Sequence, residues 1–288
     1  MSGLDLSRPL VTDGGLATEL ERRGNDLSDA LWSARVLRDD PAEVVAAHES
    51  FYRAGAVIAT SASYQASYEG FGLPKGKTDA LLRRSVALAA EARDLVDDGT
   101  QRWIAASVGP YGAALADGSE YRGRYGLTVR ELADWHAPRL AVLADAGADV
   151  LAVESIPDID EAEALVSLLA GTGHQAWLTY TVDGERTCAG QPLAEAFRVA
   201  ASIPEVIAVG VNCCKPVDVL PAVRIAREVT DLPVVVYPNS GEAWTGEWAG
   251  DSAFPPEAAR EWVAAGARVV GGCCRVTPEQ IAAVAAAV

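Results

Sequence analysis

The chain alternates short apolar runs with stretches of helical periodicity along its whole length, and this alternation limits its fold more than any other feature. Strands that alternate with helices pair in parallel, so eight such units in 288 residues predict an α/β protein with a single (β/α)8 TIM barrel. The eight apolar runs, predicted as strands, lie near Leu10, Val57, Trp103, Val150, Ala176, Val206, Val234 and Val269. The eight predicted helices begin near Pro41, Asp79, Thr128, Ile159, Pro192, Pro216, Pro256 and Pro278.

A partial repeat supports this interpretation. The segments are "RAGAVIAT" from Arg53, "DAGADVLAVE" from Asp145 and "AAGARVVGG" from Ala264. Each ends an Ala-rich helix at a glycine and then enters a β-branched run that is typical of a buried strand. An open, doubly wound sheet is the alternative fold. It usually carries a G-x-G-x-x-G loop after its first strand, and "TDGGLATEL" lacks that spacing.

Composition limits the size of the fold and the kind of partner. Half of the residues are hydrophobic, which is enough for a large core. No linker rich in Gly, Pro and Ser divides the chain, so we expect one barrel domain over residues 1–288. The 40 Asp and Glu outnumber the 24 Lys and Arg, and the net charge of −16 argues against nucleic acid or an anionic membrane as the main partner.

Location and assembly follow from what the sequence lacks. No apolar run approaches the ~18 residues of a membrane span, and the start "MSGLDLSRPL" has no apolar core of a signal peptide. We therefore expect a cytoplasmic protein that does not bind membranes, with a monomer as the default in the absence of a long heptad repeat. In a reducing compartment, five cysteines indicate metal ligands or nucleophiles more than disulfides.

The barrel interpretation predicts where functional residues lie, because barrel active sites form at the carboxyl ends of the strands. Unusual residues do follow the predicted strands. They occur in "DGG" (13–15) after strand one, "SASYQAS" (61–67) after strand two, "SVGPYGA" (107–113) after strand three, "VESIP" (153–157) after strand four, "GVNCCKP" (210–216) after strand six, "YPNSGE" (237–242) after strand seven and "GGCCR" (271–275) after strand eight. Strand five, "AWLTYTV", offers only hydroxyls.

Four of the five cysteines fall at the predicted ends of strands six and eight: Cys213, Cys214, Cys273 and Cys274. Inward side chains of alternate strands share a layer, so two even-numbered strands can direct their thiols at one point. Three thiolates around Zn²⁺ at ~2.3 Å would form a catalytic type of site, with the fourth tetrahedral position open to substrate. From the spacing alone, either Cys213 or Cys214 could be the ligand from strand six.

The adjacent cysteines impose a condition on the backbone. Cys273 and Cys274 would point to opposite faces of a regular strand, so both can bind one ion only if the chain leaves strand geometry, as Gly271 and Gly272 permit. A redox dithiol is the alternative, although adjacent cysteines close a strained ring and do not have the C-x-x-C spacing. The fifth cysteine, Cys188, is interpreted as a small buried hydrophobe.

The motifs "DGG", "SYQAS", "SVGPYGA", "GVNCC", "YPNSGE" and "GGCCR", in this order, resemble those of the homocysteine S-methyltransferase family. The resemblance extends from Asp13 to Ile281, and the two cysteine motifs are its most specific part. It implies a zinc-dependent barrel enzyme that transfers a methyl group to the thiol of homocysteine and so forms methionine.

The resemblance also implies roles for individual residues. The cysteine after the Asn of "GVNC" and the pair in "GGCC" would bind zinc, which selects Cys213, Cys273 and Cys274. The aspartate of "DGG" and the glutamate that ends strand four, Asp13 and Glu154, would bind the ammonium group of homocysteine. The remaining substrate-binding residues are expected to be Gly14, Gly15, Tyr64 and Asn212.

The methyl donor is expected to be a small sulfonium, because the sequence shows no cobalamin- or folate-binding domain. S-methylmethionine is preferred to S-adenosylmethionine, since no segment has the pattern of an adenosine pocket. Aromatic faces attract cations, so Tyr111, Trp244 and Trp248 are candidates for donor contact, with packing at the rim as the alternative. The chain departs from the common family pattern at Ser155 and in "AWTGEW" after "YPNSGE", and the second departure affects the donor side.

Two other functions are compatible with the motifs. Lys215 follows strand six, where an aldolase or lyase could present a Schiff-base lysine without metal, although a lysine at a helix start is often a solvated cap. In the second alternative, Cys214 acts as a fourth ligand and closes the zinc site, which makes the barrel a non-catalytic zinc protein. Three histidines fall in predicted helices or at a helix end and are interpreted as structural: His48, His136 and His174.

Overall fold

Eight parallel strands form the centre of the protein. The computed structural model describes residues 4–28, 31–244 and 248–288. The strands are β1 (Leu10–Val11), β2 (Ile58–Thr60), β3 (Trp103–Val108), β4 (Val150–Ile156), β5 (Ala176–Tyr180), β6 (Val206–Asn212), β7 (Val234–Tyr237) and β8 (Ala267–Val270). Each of them lies on one of the apolar runs that predicted it.

The strands close into a ring. Their order is β1-β8-β7-β6-β5-β4-β3-β2, with neighbours joined by hydrogen bonds. A parallel bridge between Thr12 and Ile58 links β1 to β2, and the Asp13 N–H donates to the Ile58 carbonyl oxygen at 3.0 Å. This arrangement confirms the predicted (β/α)8 barrel and brings the carboxyl ends of all eight strands to one rim.

Helices surround the barrel wall, and a helix occurs at or close to each predicted position. The helices are α1 (Leu16–Arg22), α2 (Ser33–Asp39), α3 (Pro41–Arg53), α4 (Tyr68–Phe71), α5 (Lys75–Leu95), α6 (Tyr111–Leu115), α7 (Val129–Ala144), α8 (Ile159–Leu169), α9 (Leu193–Ala200), α10 (Pro216–Val229), α11 (Ala259–Ala265) and α12 (Pro278–Ala287). The described residues form no helix that is both long and apolar enough to cross a membrane.

Several helix boundaries differ from the sequence prediction. Helix α5 begins at Lys75 and not near Asp79, because Gly76 in its first turn weakens the helical signal of the sequence. Near Pro256 the chain first makes a 3-10 turn and then enters α11. The sequence pattern does not predict α1, α2, α4 and α6, since helices of four to seven residues show too little periodicity.

Successive residues of a strand face opposite sides of the barrel wall. In β3, Trp103 and Ala105 pack in the barrel interior with Trp177 of β5, whereas Ile104 and Ala106 pack between the wall and the helices. Because the strands are buried on both sides, their sequences read as continuous apolar runs.

Two short hairpins extend the rim at the carboxyl ends of the strands. Val182–Asp183 pairs with Arg186–Thr187 after β5, and Ala243–Trp244 pairs with Trp248–Ala249 after β7. Both hairpins follow strands whose ends contribute residues to the site described below.

Candidate active site

The carboxyl ends of β6 and β8 bring together the three cysteines that the resemblance selects. Their sulfur atoms all lie within 4.8 Å of one another. Cys213 Sγ lies 3.8 Å from Cys274 Sγ, and the sulfurs of Cys213 and Cys273 are in disulfide contact. Two sulfurs that bind one Zn²⁺ tetrahedrally at ~2.3 Å stand ~3.8 Å apart. The three thiols therefore fit one metal ion once the Cys213 and Cys273 sulfurs separate.

Close packing between the ends of β1 and β8 places the cysteine pair. A Cβ atom on Gly271 would lie 2.4 Å from Thr12 Cγ2, and one on Gly272 would lie 2.3 Å from Val276 Cγ1. The chain leaves strand geometry here, as predicted, but neither glycine has a positive φ; Arg275 has one, at 66°. The two glycines are thus required for space and not for an unusual backbone conformation.

Gly14 and Gly15 form part of the surface on which the cysteine loop packs. A Cβ atom on Gly14 would lie 2.6 Å from the carbonyl oxygen of Val276, and one on Gly15 would lie 2.7 Å from that of Cys273. These two predicted substrate-binding positions therefore have a packing reason to lack a side chain.

Asn212 connects two unusual backbone conformations, one in the last residues of β4 and one directly after β6. Ser155 and Cys213 have φ values of 58° and 48°, in the left-handed region that non-glycine residues rarely adopt. The Asn212 side chain accepts hydrogen bonds from the Ser155 N–H and the Thr179 hydroxyl and donates one to the Ser155 hydroxyl, each at 2.7 Å. Such backbone strain costs on the order of 1–3 kcal/mol per residue and persists where the surroundings impose it. Asn212 thus holds the irregular strand backbone at Ser155 and directly precedes Cys213.

Asp13 is buried at the end of β1, and its carboxylate is held by neighbouring donors. It accepts hydrogen bonds from the Thr60 N–H at 2.8 Å and from the hydroxyls of Thr60 and Thr12 at 3.0 Å. Burial raises the pKa of Asp13 to about 7; the hydrogen bonds oppose this rise, and the charge of Glu154 adds to it. The two carboxylates are therefore close enough to influence each other.

Glu154 lies in β4 and is also buried. Its carboxylate accepts hydrogen bonds from the hydroxyls of Ser107 and Tyr237, the second at 2.9 Å. The Tyr237 hydroxyl in turn accepts the Trp177 indole N–H at 3.1 Å. Burial raises the pKa of Glu154. In the part of the chain that the structure describes, no Lys, Arg or His forms an ion pair with Glu154 or Asp13, so together they offer a site for a cation.

Tyr64 follows β2 and packs against the loop after β3. A Cβ atom on Gly109 would lie 2.7 Å from Tyr64 Cδ2, so the two residues are in close contact. The Arg139 guanidinium donates to the carbonyl oxygens of Tyr64 at 3.2 Å and Gly109 at 3.1 Å. Burial raises the pKa of Tyr64, and the charges of Glu120 and Glu154 act in the same direction.

The structure describes the surroundings of only one of the three aromatic side chains predicted for the donor side. Tyr111 packs edge to face against Tyr125 and Trp135, with ring centroids 5.2 Å and 5.0 Å apart. This packing explains Tyr111 without a ligand. The backbones of Trp244 and Trp248 pair in the hairpin after β7, and their side chains lie outside the described part of the structure.

Tyr121 reaches the cysteines although no sequence motif indicates it. It ends a 3-10 turn, Ser119–Tyr121, between α6 and α7. Its hydroxyl lies 4.0 Å from Cys213 Sγ and 3.9 Å from Cys274 Sγ. Burial raises the pKa of Cys274 to about 11, and the hydrogen bond with Tyr121 opposes this rise. The buried thiol therefore needs a nearby positive charge to ionise at neutral pH.

Other supporting residues have a partial sequence signal. Tyr237 and Ser107 stand in the motifs "YPNSGE" and "SVGPYGA", and Thr60 directly precedes "SASYQAS". Their position at strand ends could have identified them, whereas their partners could not be read from the sequence.

The two residues on which the alternative functions depend, Cys214 and Lys215, lie outside the metal-binding group of cysteines. The Cys214 side chain packs in the core between the wall and the helices and is not part of the cysteine group that could hold a metal. The Lys215 ammonium pairs with Asp183 at 2.9 Å, with 68% of the lysine side chain exposed. The hydrogen bond to Asp183 raises the pKa of Lys215, whereas a Schiff-base lysine needs a lowered one. Both positions argue against the alternatives.

The histidines and the fifth cysteine also lie apart from the metal-binding group. Burial in α3 lowers the pKa of His48 to about 4. His136 Nε2 lies 2.9 Å from a Glu161 carboxylate oxygen inside the helix layer. His174 lies between α8 and β5, at the opposite end of the barrel, and the half-buried Cys188 sulfur lies 3.7 Å from the Thr181 hydroxyl.

A comparison of the whole chain with known proteins decides the family. The family model described as homocysteine S-methyltransferase matches residues 10–288. The chain belongs to this family. Among its relatives is the homocysteine S-methyltransferase of Escherichia coli (strain K12), which is 44% identical over 299 residues covering 98% of this chain and 96% of the relative. The membership that the cysteine motifs indicated is confirmed.

Solved structures of the homocysteine methyltransferase MmuM from Escherichia coli have the same fold. The metallated form superimposes with a TM-score of 0.88 at 43% identity, covering 97% of this chain and 96% of MmuM. The oxidized form gives a TM-score of 0.89 at 44% identity, covering 96% and 95%. The likeness of this homocysteine S-methyltransferase family member to MmuM therefore extends over the whole barrel.

Proposed function

We propose that this enzyme transfers a methyl group from a sulfonium compound to the thiol of homocysteine, forming methionine, with one Zn²⁺ held by Cys213, Cys273 and Cys274. The observation that carries the proposal is the placement of three thiols and two buried carboxylates at one rim of the barrel. Tyr237 contacts both groups, because its hydroxyl donates to Glu154 at 2.9 Å and its carbonyl oxygen accepts the Cys213 N–H at 3.2 Å, and this supports a single site. Family membership supports the same reaction.

Different groups would bind the two ends of homocysteine. Asp13 and Glu154 would bind the ammonium group, because neither carboxylate forms an ion pair in the described part of the protein. The buried Arg139 guanidinium acts on Glu154 only at longer range. Their hydrogen bonds from Thr60, Ser107 and Tyr237 fix the carboxylates before substrate arrives. When bound, Zn²⁺ would supply a positive charge that deprotonates the homocysteine thiol and keeps it as a nucleophilic thiolate.

The transfer itself needs no acid from the protein. A bond forms between the homocysteine sulfur and the methyl carbon, and the bond from that carbon to the sulfonium sulfur breaks. Its electron pair stays on the donor sulfur, which leaves as a neutral thioether, while the thiol proton has already passed to solvent. We propose S-methylmethionine as the preferred donor over S-adenosylmethionine, because the sequence has no pattern of an adenosine pocket.

The test measures metal and product in the same preparation. We expect about one zinc per chain by mass spectrometry, which is the content of a mononuclear thiolate site. Homocysteine and both sulfoniums at equal concentration, with one methyl group labelled, should give methionine labelled mainly from S-methylmethionine. A clear excess of label from S-adenosylmethionine would overturn the donor alone, and no methionine from either sulfonium would overturn the reaction.

X-ray absorption separates the open site from a closed four-cysteine site. Homocysteine should add a sulfur neighbour to the zinc of an open site, whereas 2-aminobutyrate, which has the same ammonium and carboxylate but no thiol, should not. An unchanged spectrum with homocysteine would favour a structural zinc.

A further inference from the structure

The turn Ser119–Tyr121 carries a second side chain that the proposed reaction does not yet use. Tyr121 brings this turn against the cysteine group, with its hydroxyl about 4 Å from two of the sulfurs. Glu120 precedes it in the same turn. An acidic residue is thus held next to the site, on the loop after β3, and away from Asp13 and Glu154 in the sequence.

Glu120 has a buried oxygen without a partner. Its Oε2 atom is inaccessible to solvent and accepts no hydrogen bond. No Lys, Arg or His in the described residues forms an ion pair with it. A buried carboxylate oxygen that lacks a donor is costly, and natural structures keep such groups where a ligand completes them.

Packing fixes the position of this carboxylate. A Cβ atom on Gly112 would lie 2.5 Å from the Glu120 backbone nitrogen, so the turn is pressed against α6. The buried Ser119 donates its N–H to Asp117 Oδ1 at 3.0 Å, and the Arg122 N–H closes the turn on the Ser119 carbonyl at 3.0 Å. The turn therefore has a defined shape, and in it the Glu120 Oε2 atom is shielded from solvent.

The turn that carries Glu120 adjoins the active site, because the next residue, Tyr121, places its hydroxyl 4.0 Å and 3.9 Å from the sulfurs of Cys213 and Cys274. The charge of Glu120 acts on the hydroxyls of Tyr64 and Tyr121 and on the thiol of Cys274, and it raises the pKa of each of these groups. Since Asp13 and Glu154 would already bind the ammonium of homocysteine, a third carboxylate at the same site is left for the second substrate.

The chemistry of the oxygen selects which positive group it binds. An unpartnered carboxylate oxygen accepts a hydrogen bond, which an ammonium can donate and a sulfonium cannot. The tyrosine rings of Tyr64 and Tyr121 offer the kind of surface that attracts a sulfonium without hydrogen bonds. We propose that Glu120 determines donor specificity by binding the ammonium group of an amino-acid sulfonium. This inference rests on the proposed function and adds a residue and a chemical class to it.

Two donors that differ only in the ammonium group test the proposal. They are S-methylmethionine and its desamino analogue, 4-(dimethylsulfonio)butanoate. In Glu120→Gln, the KM for S-methylmethionine should rise about 10- to 100-fold, as expected for loss of a charge-assisted hydrogen bond. The KM for the analogue, the KM for homocysteine and the zinc content should not change. Asp117→Asn is the matched control, because it removes a charge from the same segment and keeps an oxygen for the Ser119 N–H.

Calorimetry separates this inference from the proposed reaction. Binding of S-methylmethionine to the zinc-loaded protein should weaken by a similar factor in Glu120→Gln, whether or not methionine is formed. Glu120→Asp keeps the charge on a shorter side chain. Its affinity for S-methylmethionine should therefore lie between those of the wild-type protein and Glu120→Gln. The role of Glu120 would be overturned if Glu120→Gln weakened the binding of S-methylmethionine and of its desamino analogue equally. It would also be overturned if the binding of S-methylmethionine were unchanged. Normal binding with no turnover by the wild-type protein would instead overturn the methyl transfer.

Discussion

The two halves of the site are organised by different means. On the carboxylate side, Asp13 and Glu154 accept several hydrogen bonds from surrounding threonine, serine and tyrosine donors. On the sulfur side, the Tyr121 hydroxyl approaches the sulfurs of Cys213 and Cys274 only to 4.0 Å and 3.9 Å. The carboxylates are thus positioned before any ligand binds, whereas the sulfurs are placed by backbone packing and await a metal for their final arrangement.

This difference determines how each half should respond to mutation. Loss of a sulfur ligand removes an essential part of a metal site, so its effect should be nearly complete. Loss of one carboxylate or of one supporting hydroxyl leaves the other hydrogen bonds in place, and its effect should be graded.

The largest effect is expected from the adjacent pair Cys213 and Cys214. Cys213→Ala should lose zinc and lower kcat/KM more than about 100-fold, beyond the effect of residues that only support a ligand. Cys214→Ala should keep zinc and activity and lose about 1 kcal/mol of unfolding free energy, because its side chain packs in the core. Zinc analysis, turnover and thermal unfolding measure both. Retention of zinc by Cys213→Ala and its loss from Cys214→Ala would reverse the assignment.

The next effect is expected at Glu154. Glu154→Gln should raise the KM for homocysteine about 10- to 150-fold, which corresponds to a charge-assisted hydrogen bond of about 1.5 to 3 kcal/mol. Zinc content should be unchanged, since Glu154 is not among the cysteine group. Glu163→Gln, at an exposed position of α8, is the charge-matched control. Unchanged homocysteine kinetics in Glu154→Gln would remove this residue from the ammonium site.

A pH dependence is expected from Asp13. Burial raises its pKa to about 7, and only the ionised carboxylate attracts an ammonium, so ligand binding should weaken as the pH falls through 7. Methionine is the suitable ligand because it has the ammonium but no thiol to titrate. Its inhibition constant should rise about tenfold between pH 8 and pH 6, and Asp13→Asn should abolish most of this rise. The same slope in wild type and variant would assign the titration to another group.

The smallest effect is expected from a supporting hydroxyl. Tyr237→Phe removes one hydrogen bond from Glu154 and should raise the KM for homocysteine about 2- to 10-fold, with the zinc unchanged. Tyr180→Phe is the matched control, because its buried hydroxyl donates to the Ala196 carbonyl oxygen away from the site. If the two variants have the same KM for homocysteine, the inference that hydrogen bonds preorganise the carboxylate side is wrong.

Much of the fold could be predicted because its signals are local. Eight apolar runs between helical stretches indicate a parallel barrel, and the rule that active sites occupy the carboxyl ends then locates the functional motifs. The short helices α1, α2, α4 and α6 escape this reasoning, since their formation depends on packing in the loops and not on periodicity. The explanation for Gly271 and Gly272 also changes, because the crowding that requires them comes from Thr12 and Val276.

The site likewise has features that local sequence signals predict and features that depend on tertiary packing. By itself, the sequence determined that cysteines of strands six and eight converge, because their position after apolar runs of known order is enough to place them on one rim. Only the tertiary structure decided that Cys214 turns into the core and that Tyr121 approaches the sulfurs across 92 and 153 positions of the chain. Contacts of this kind depend on how distant loops pack against one another, and no local pattern of residues encodes them.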